Sequence, residues 1–237
     1  MITGNDVVDL LLPENLASAS NTRYRNRVLS PFEQEILKNS PNPDLLFWYL
    51  WSAKESAFKV ISKLNPQTLF SHRRFEVHPD WQTSQKTPLN GVVKYKNETV
   101  SVRWDKHSGF LHCIANLQTT TRQYDLWTDV RKLNDFADPG VFDFNPEESG
   151  SIHSEESYKV RLLAKSLYHR LTKKNPRIIR LKSADSIRLG PPEIYLEQIP
   201  DRHSDLSLSH DGELLAVSLA ISQQLPKNKN LFKPTIP

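Results

Sequence analysis

The sequence predicts an α+β protein built from two similar α/β halves, and three observations carry that expectation. An amphipathic helical pattern over 44–64 precedes strand-like runs at 75–77, 91–95, 99–104 and 110–117. A second helical pattern over 155–173 precedes runs at 177–181, 194–196, 206–210 and 214–221. Between them, 119–150 loses both periodicities and gathers acidic residues, Pro139-Gly140 and Pro146, the composition of a connection. The halves are accordingly assigned as 1–118 and 151–222, joined by a connection at 119–150 and succeeded by a flexible tail at 223–237.

The chain opens on residues rich in Val and Ile, read as a strand ending near Asp9 and then an irregular stretch closed by Pro13. Ser30-Pro31-Phe32-Glu33 puts a hydroxyl at the N-cap, proline at N1 and glutamate at N3, the capping box that starts a helix running to about Lys38. Asn42-Pro43-Asp44 leads into the longer helix, which Asn65-Pro66 stops. At ~100° per residue, Leu46, Leu50, Ala53, Ala57, Val60 and Leu64 form one apolar stripe on it. Turn residues at Lys96-Asn97 and 106–109 fold the strands after this helix into an antiparallel meander. In the second helix Val160, Leu163, Ala164, Leu167 and Leu171 recur at three- and four-residue spacing, with Lys159, Arg161 and Lys165 beside the stripe. Asp211-Gly212 marks a hairpin turn before the last strand.

Composition narrows the function classes. Lys and Arg number 31 against 27 acidic residues, a formal charge of +4 that suits an acidic protein partner or a phosphorylated ligand and falls short of a nucleic-acid binder. Arg23, Arg25, Arg27, Arg73 and Arg74 form no nucleic-acid-binding motif. The single cysteine, Cys113, excludes an intrachain disulfide and reads as part of a buried strand. No signal-peptide pattern opens the chain and the longest apolar run, 45–51, is too short to span a bilayer, so the expectation is a soluble cytoplasmic protein without a membrane partner.

The chemistry-bearing residues lie on the first strand and the first long helix. Opposite the apolar stripe, Trp48, Trp51, Glu55 and Lys59 line up together. An exposed Glu–Lys pair one turn apart contributes only about 0.2–0.5 kcal/mol to a helix, but two tryptophans on that face point to a covered pair. In an extended strand Asp6 and Val8 share a face while Asp9 points away and caps the next segment, which leaves Asp6 and Glu55 as two candidate ligands. Two carboxylates with an ammonium nearby suit Mg²⁺ held against a pyrophosphate, a phosphoryl-transfer arrangement. Ser209-His210, by themselves, read as the end of a hairpin strand.

Taken together, Gly4-Asn5-Asp6-Val7-Val8-Asp9, Arg27-Val28-Leu29-Ser30 with Glu33, and Trp51-x-x-Lys54-Glu55-x-x-x-Lys59 resemble the 4′-phosphopantetheinyl transferases. Leu206 to Gly212 looks like the family's serine-histidine motif, and 161–192 resembles the segment that precedes it in the longer, surfactin-synthetase-activating type. The resemblance implies two halves around a pseudo-twofold axis with the site between them. It implies transfer of 4′-phosphopantetheine from coenzyme A to a serine of an acyl, polyketide or peptidyl carrier protein, releasing 3′,5′-ADP. On that reading Asp6 and Glu55 hold Mg²⁺, Glu55 and Lys59 are catalytic, and Ser209, His210, Arg161 and Lys54 meet coenzyme A.

The order of the motifs departs from the longer type, where the serine-histidine half comes first. The expectation is a circular permutation, which would make a monomer sufficient; the alternative is a short-type synthase with an insertion, completed only in a homo-oligomer. Val8 stands where the longer type often has a second acidic ligand, and Pro191 replaces the lysine of its Gly-Lys-Pro turn. These departures motivate a second reading, a catalytically degenerate member serving as a binding or scaffold subunit.

Overall fold

The computed structural model describes residues 1–81, 87–181 and 189–223, so the expected tail falls, beyond Gln223, outside the described residues. The first half is a five-stranded antiparallel sheet, β1 (Ile2–Asp9), β5 (Phe110–Leu117), β4 (Glu98–Lys106), β3 (Asn90–Tyr95) and β2 (Glu76–Asp80) in spatial order. Short helix α3 (Pro31–Lys38) and long helix α4 (Pro43–Leu64) precede the meander, and Leu46, Leu50, Ala53, Ala57 and Val60 of α4 are buried on the sheet with Phe75, Val93 and Trp104. Leu64, expected at the end of that stripe, is exposed on the last turn. Residues 10–12 form the expected irregular stretch after β1, but Pro13 does more than close it: it opens α1 (Pro13–Ser20), which α2 (Thr22–Val28) follows, two helices that the sequence pattern does not signal. Both are too short to show a helical stripe.

The expected connection at 119–150 is also corrected. It supplies β6 (Tyr124–Lys132), which pairs with β11 (Leu214–Ser222), itself paired with β10 (Ser204–Asp211). It also holds α5 (Pro146–Ser149). The periodicity fails because β6 is an edge strand whose residues facing the second long helix are Asp125, Trp127, Asp129 and Arg131. That helix, α6 (Glu155–Thr172), covers the sheet with Val160, Leu163, Ala164 and Leu167. Strands β7 (Arg177–Ile179), β8 (Glu193–Leu196) and β9 (Ile199–Pro200) form a small third sheet.

The halves repeat one plan down to a buried ion pair. Ser30 caps α3 in a capping box with Glu33, whose carboxylate lies 2.7 Å from Lys54 Nζ on α4 and accepts Val77 N–H at 2.7 Å. Asn145 caps α5 in the same way with Glu148, whose carboxylate lies 2.8 Å from Lys165 Nζ on α6 and accepts Ile178 N–H at 2.8 Å. In each half one glutamate fixes a helix start, a helix and a strand together.

The halves meet along β1. The N–H groups of Thr3, Asn5, Val7 and Asp9 donate to Asp205 Oδ2, Ser207 Oγ, Ser209 Oγ and Asp211 Oδ2 at 2.7, 3.0, 3.3 and 2.8 Å. On the carbonyl side Lys63 Nζ reaches Thr3 O, Leu206 O and Asp205 at 2.8, 2.7 and 2.7 Å. A small apolar cluster of Val7, Leu214 and Ala216, with Phe110 and Val130 against it, fills the remainder.

Removing one partner of a fully buried ion pair leaves an uncompensated charge that costs about 3–5 kcal/mol. Lys54→Met is therefore expected to lower unfolding stability by roughly that amount in urea melts, with Lys54→Met/Glu33→Gln recovering part of it. A loss below about 1 kcal/mol would show that the pair does not organise the half.

Candidate active site

Asp6 sits mid-strand on β1 with its side chain on the α4 face, and α4 can approach because Gly4 has no side chain there. A Cβ on Gly4 would lie 2.1 Å from Ser56 O. This close crossing puts Glu55 and Lys59, one turn apart on α4, over Asp6. Lys59 Nζ lies 3.3 Å from Asp6 Oδ1 and donates to Asn5 O at 2.6 Å and to Leu208 O at 3.3 Å, so it also joins the halves. From the second half, Ser209 Oγ donates to Asp6 Oδ1 at 2.9 Å. His210, the next residue on β10, is exposed and within electrostatic reach of Lys59, and of Glu156 and Arg161 on α6. Asp6, Glu55, Lys59 and Ser209 are thus brought together across the seam, whereas His210 alternates with Ser209 on β10 and shares the strand face of Leu206 and Leu208.

A family model described as the 4′-phosphopantetheinyl transferase superfamily matches residues 3–115, which contain Asp6, Glu55 and Lys59. A solved structure, the holo-[acyl-carrier-protein] synthase (AcpS) from Neisseria meningitidis, is similar at 15% identity over 48% of this chain and 97% of its own, with a TM-score of 0.36. No curated protein matches the chain by sequence. Ser209 and His210 lie outside the segment matched to the phosphopantetheinyl transferases.

Two residues expected at coenzyme A are placed otherwise. Lys54 is fully buried, its Nζ shared among Glu33, His72 O and Phe75 O, which leaves no donor for a ligand. Arg161 is buried too, with its guanidinium donating to the backbone and hydroxyl oxygens of Ser151 and Ser157. His72 joins the site without any signal in its local sequence. Its ring stacks on Trp51 at 4.4 Å and its Nε2 lies 3.8 Å from Glu55 Oε1, buried and without a hydrogen-bond partner. Burial, with Lys54 and Arg27 nearby, pushes its pKa down to about 4 and keeps the ring neutral. Trp51 flanking Glu55 is visible in the sequence; the return of residue 72 to it is not.

The two carboxylates of the cluster are both perturbed by burial. Burial raises the pKa of Asp6, against the opposing effects of Lys59 and Ser209. Burial and the neighbouring Asp6 charge push Glu55 up to about 7. Among the described residues no group of three or more His, Cys, Asp or Glu side chains is arranged to hold a metal. Two carboxylates crowded together with one ammonium fit a Mg²⁺ ion that takes its other ligands from water and phosphate.

An acid whose pKa is higher folded than unfolded weakens folding as pH rises from its unfolded value to its folded one. For Glu55 that window runs from 4.5 to about 7. Glu55→Gln removes the loss, so the variant is expected to be more stable than the native chain at pH 8 and to differ little at pH 4, measured by thermal melts. Equal melting temperatures at pH 8 would remove the crowding argument. Gly4→Ala forces β1 and α4 apart and is expected to abolish activity with a lowered melting temperature; an unchanged melt would show that the close crossing is not required.

Proposed function

We propose that the chain transfers 4′-phosphopantetheine from coenzyme A to a serine hydroxyl of an acyl, polyketide or peptidyl carrier protein, with 3′,5′-ADP leaving. The observation that carries this reading is the Asp6–Glu55 pair on β1 and α4, with Lys59 one turn on and Ser209 reaching Asp6 from the other half. Asp6 and Glu55 would hold Mg²⁺, which when bound supplies charge neutralisation at the pyrophosphate. Glu55 can take the proton of the attacking serine, directly or through water. Lys59 offers an ammonium to the leaving phosphate, and Ser209 and His210 face the phosphates from β10. His72 braces the Glu55 side.

The same reading makes the chain a circularly permuted form of the longer type, in which a monomer contains both walls of the site. In support, the start of β1 lies beside the second half of β11: Thr3 Oγ1 and mid-strand Ser218 Oγ are 2.8 Å apart, and Asp205, which acts on the N-terminal amine, pairs opposite Ala220. Joining these ends and opening the chain between the halves would leave the same sheets and seam.

Mass spectrometry of a panel of apo-carrier proteins incubated with coenzyme A and Mg²⁺ tests the activity. The expected result is one phosphopantetheine per carrier, with turnover reduced at least about 10²-fold in Asp6→Ala and in Glu55→Gln. No modification across the panel would favour the binding or scaffold subunit instead, and undiminished turnover in both variants would remove the two-carboxylate mechanism.

A further inference from the structure

The second half carries the same plan as the first, so the place corresponding to the candidate site can be found residue by residue. Lys54 and Lys165 both hold the capping glutamate of their half. One residue on stand Glu55 and Ser166, and four further on stand Lys59 and Arg170. In the sheets, Asp6 lies opposite Cys113, three residues into β5 after the hairpin turn, and Asp129 lies opposite Val217, three residues into β11 after its turn. The side chains repeat the contact that these positions imply. Lys59 reaches Asp6 at 3.3 Å, and Arg170 reaches Asp129 at 3.4 Å.

Two differences separate the sites. Ser166 replaces the second carboxylate, and its Oγ is buried without a hydrogen-bond partner. Arg131 replaces Val8, two residues past the strand aspartate, and its Nε lies 2.8 Å from Asp129 Oδ1. Asp129 therefore meets two guanidinium groups, where Asp6 meets one ammonium and a hydroxyl.

We infer that Asp129, Ser166 and Arg170 are a disarmed copy of the Asp6, Glu55 and Lys59 site, in which the Arg131 guanidinium does for Asp129 what a divalent cation would do for Asp6. The chain then holds one divalent cation, and the choice between the two places is made by Glu55 against Ser166 and by Val8 against Arg131. A single carboxylate already paired with two arginines has no charge left to attract Mg²⁺. The inference rests on the reading of Asp6 and Glu55 as cation ligands.

The test uses Mn²⁺ as the probe, with bound ion read from the loss of the free-ion electron paramagnetic resonance signal. In the full chain with Asp6→Ala and Glu55→Gln, no tight binding is expected. Adding Arg131→Val and Ser166→Glu to that background is expected to tighten Mn²⁺ binding at least tenfold, to one ion per chain, and Asp129→Asn is expected to remove the gain. Ser166→Glu alone is expected to give none, because the guanidinium remains. No gain in the folded double addition, or in Arg131→Val with Ser166→Asp should the first not fold, overturns the inference; so does tight binding in Ser166→Glu alone. Mn²⁺ titration of the native chain is a separate arm, since failure there strikes the first site and leaves the comparison of the two backgrounds intact.

Discussion

An edge strand with nowhere to place its hydrogen bonds is the constraint on which the rest of this structure depends. β1 pairs with β5 on one side only, and its other edge would present a row of open amides and carbonyls. Among the described residues no backbone strand completes it. Side chains do, at a constant spacing: residues 3, 5, 7 and 9 donate to residues 205, 207, 209 and 211. Slipping β1 by one residue would break all four bonds and turn Asp6 away from α4. The alternation of Ser, Asp and Leu along β10 thus serves two faces, Leu206 to its own core and the polar residues to the seam.

The candidate site sits at that seam. The lysines of α4 that neutralise β1 carbonyls also bond carbonyls of β10, Lys59 at Leu208 and Lys63 at Leu206. Lys59 is therefore both a clamp between halves and the cation beside Asp6. Ser209 has the same double duty, accepting from Val7 and donating to Asp6. Because the groups that close the interface are the groups that line the site, the carboxylate pair is held in a crowded and partly buried state. The second half lacks this crowding at Asp129, which pairs with Arg131 and Arg170 instead of facing a second carboxylate.

Much of this is legible in the sequence, and the gaps have physical reasons. The strand at 2–9, the capping box at Ser30 and the two long helices are readable because period and caps are local properties. Asp6, Glu55 and Lys59 can be grouped from strand alternation and helical spacing. β6 is not readable, since an edge strand with Asp125, Asp129 and Arg131 on one face shows no alternation of apolar and polar residues. Lys54 reads as a ligand contact because nothing local shows that Glu33, 21 residues earlier, consumes its charge. Arg161 misleads because its guanidinium is taken up by Ser157, one turn back on α6, and by Ser151 ahead of that helix. The stacking of His72 on Trp51 belongs to tertiary structure alone.

The central claim is that a divalent cation and a pyrophosphate meet at the Asp6–Glu55 pair, with the second half supplying the facing wall. A crystal grown with coenzyme A and Mn²⁺ in place of Mg²⁺, with anomalous diffraction measured at the manganese edge, tests it most directly. The account predicts one anomalous peak within coordinating distance of Asp6 and Glu55, with the coenzyme A pyrophosphate beside it and Ser209 and His210 facing the phosphates. A peak elsewhere, or coenzyme A bound away from β1 and β10, would contradict it.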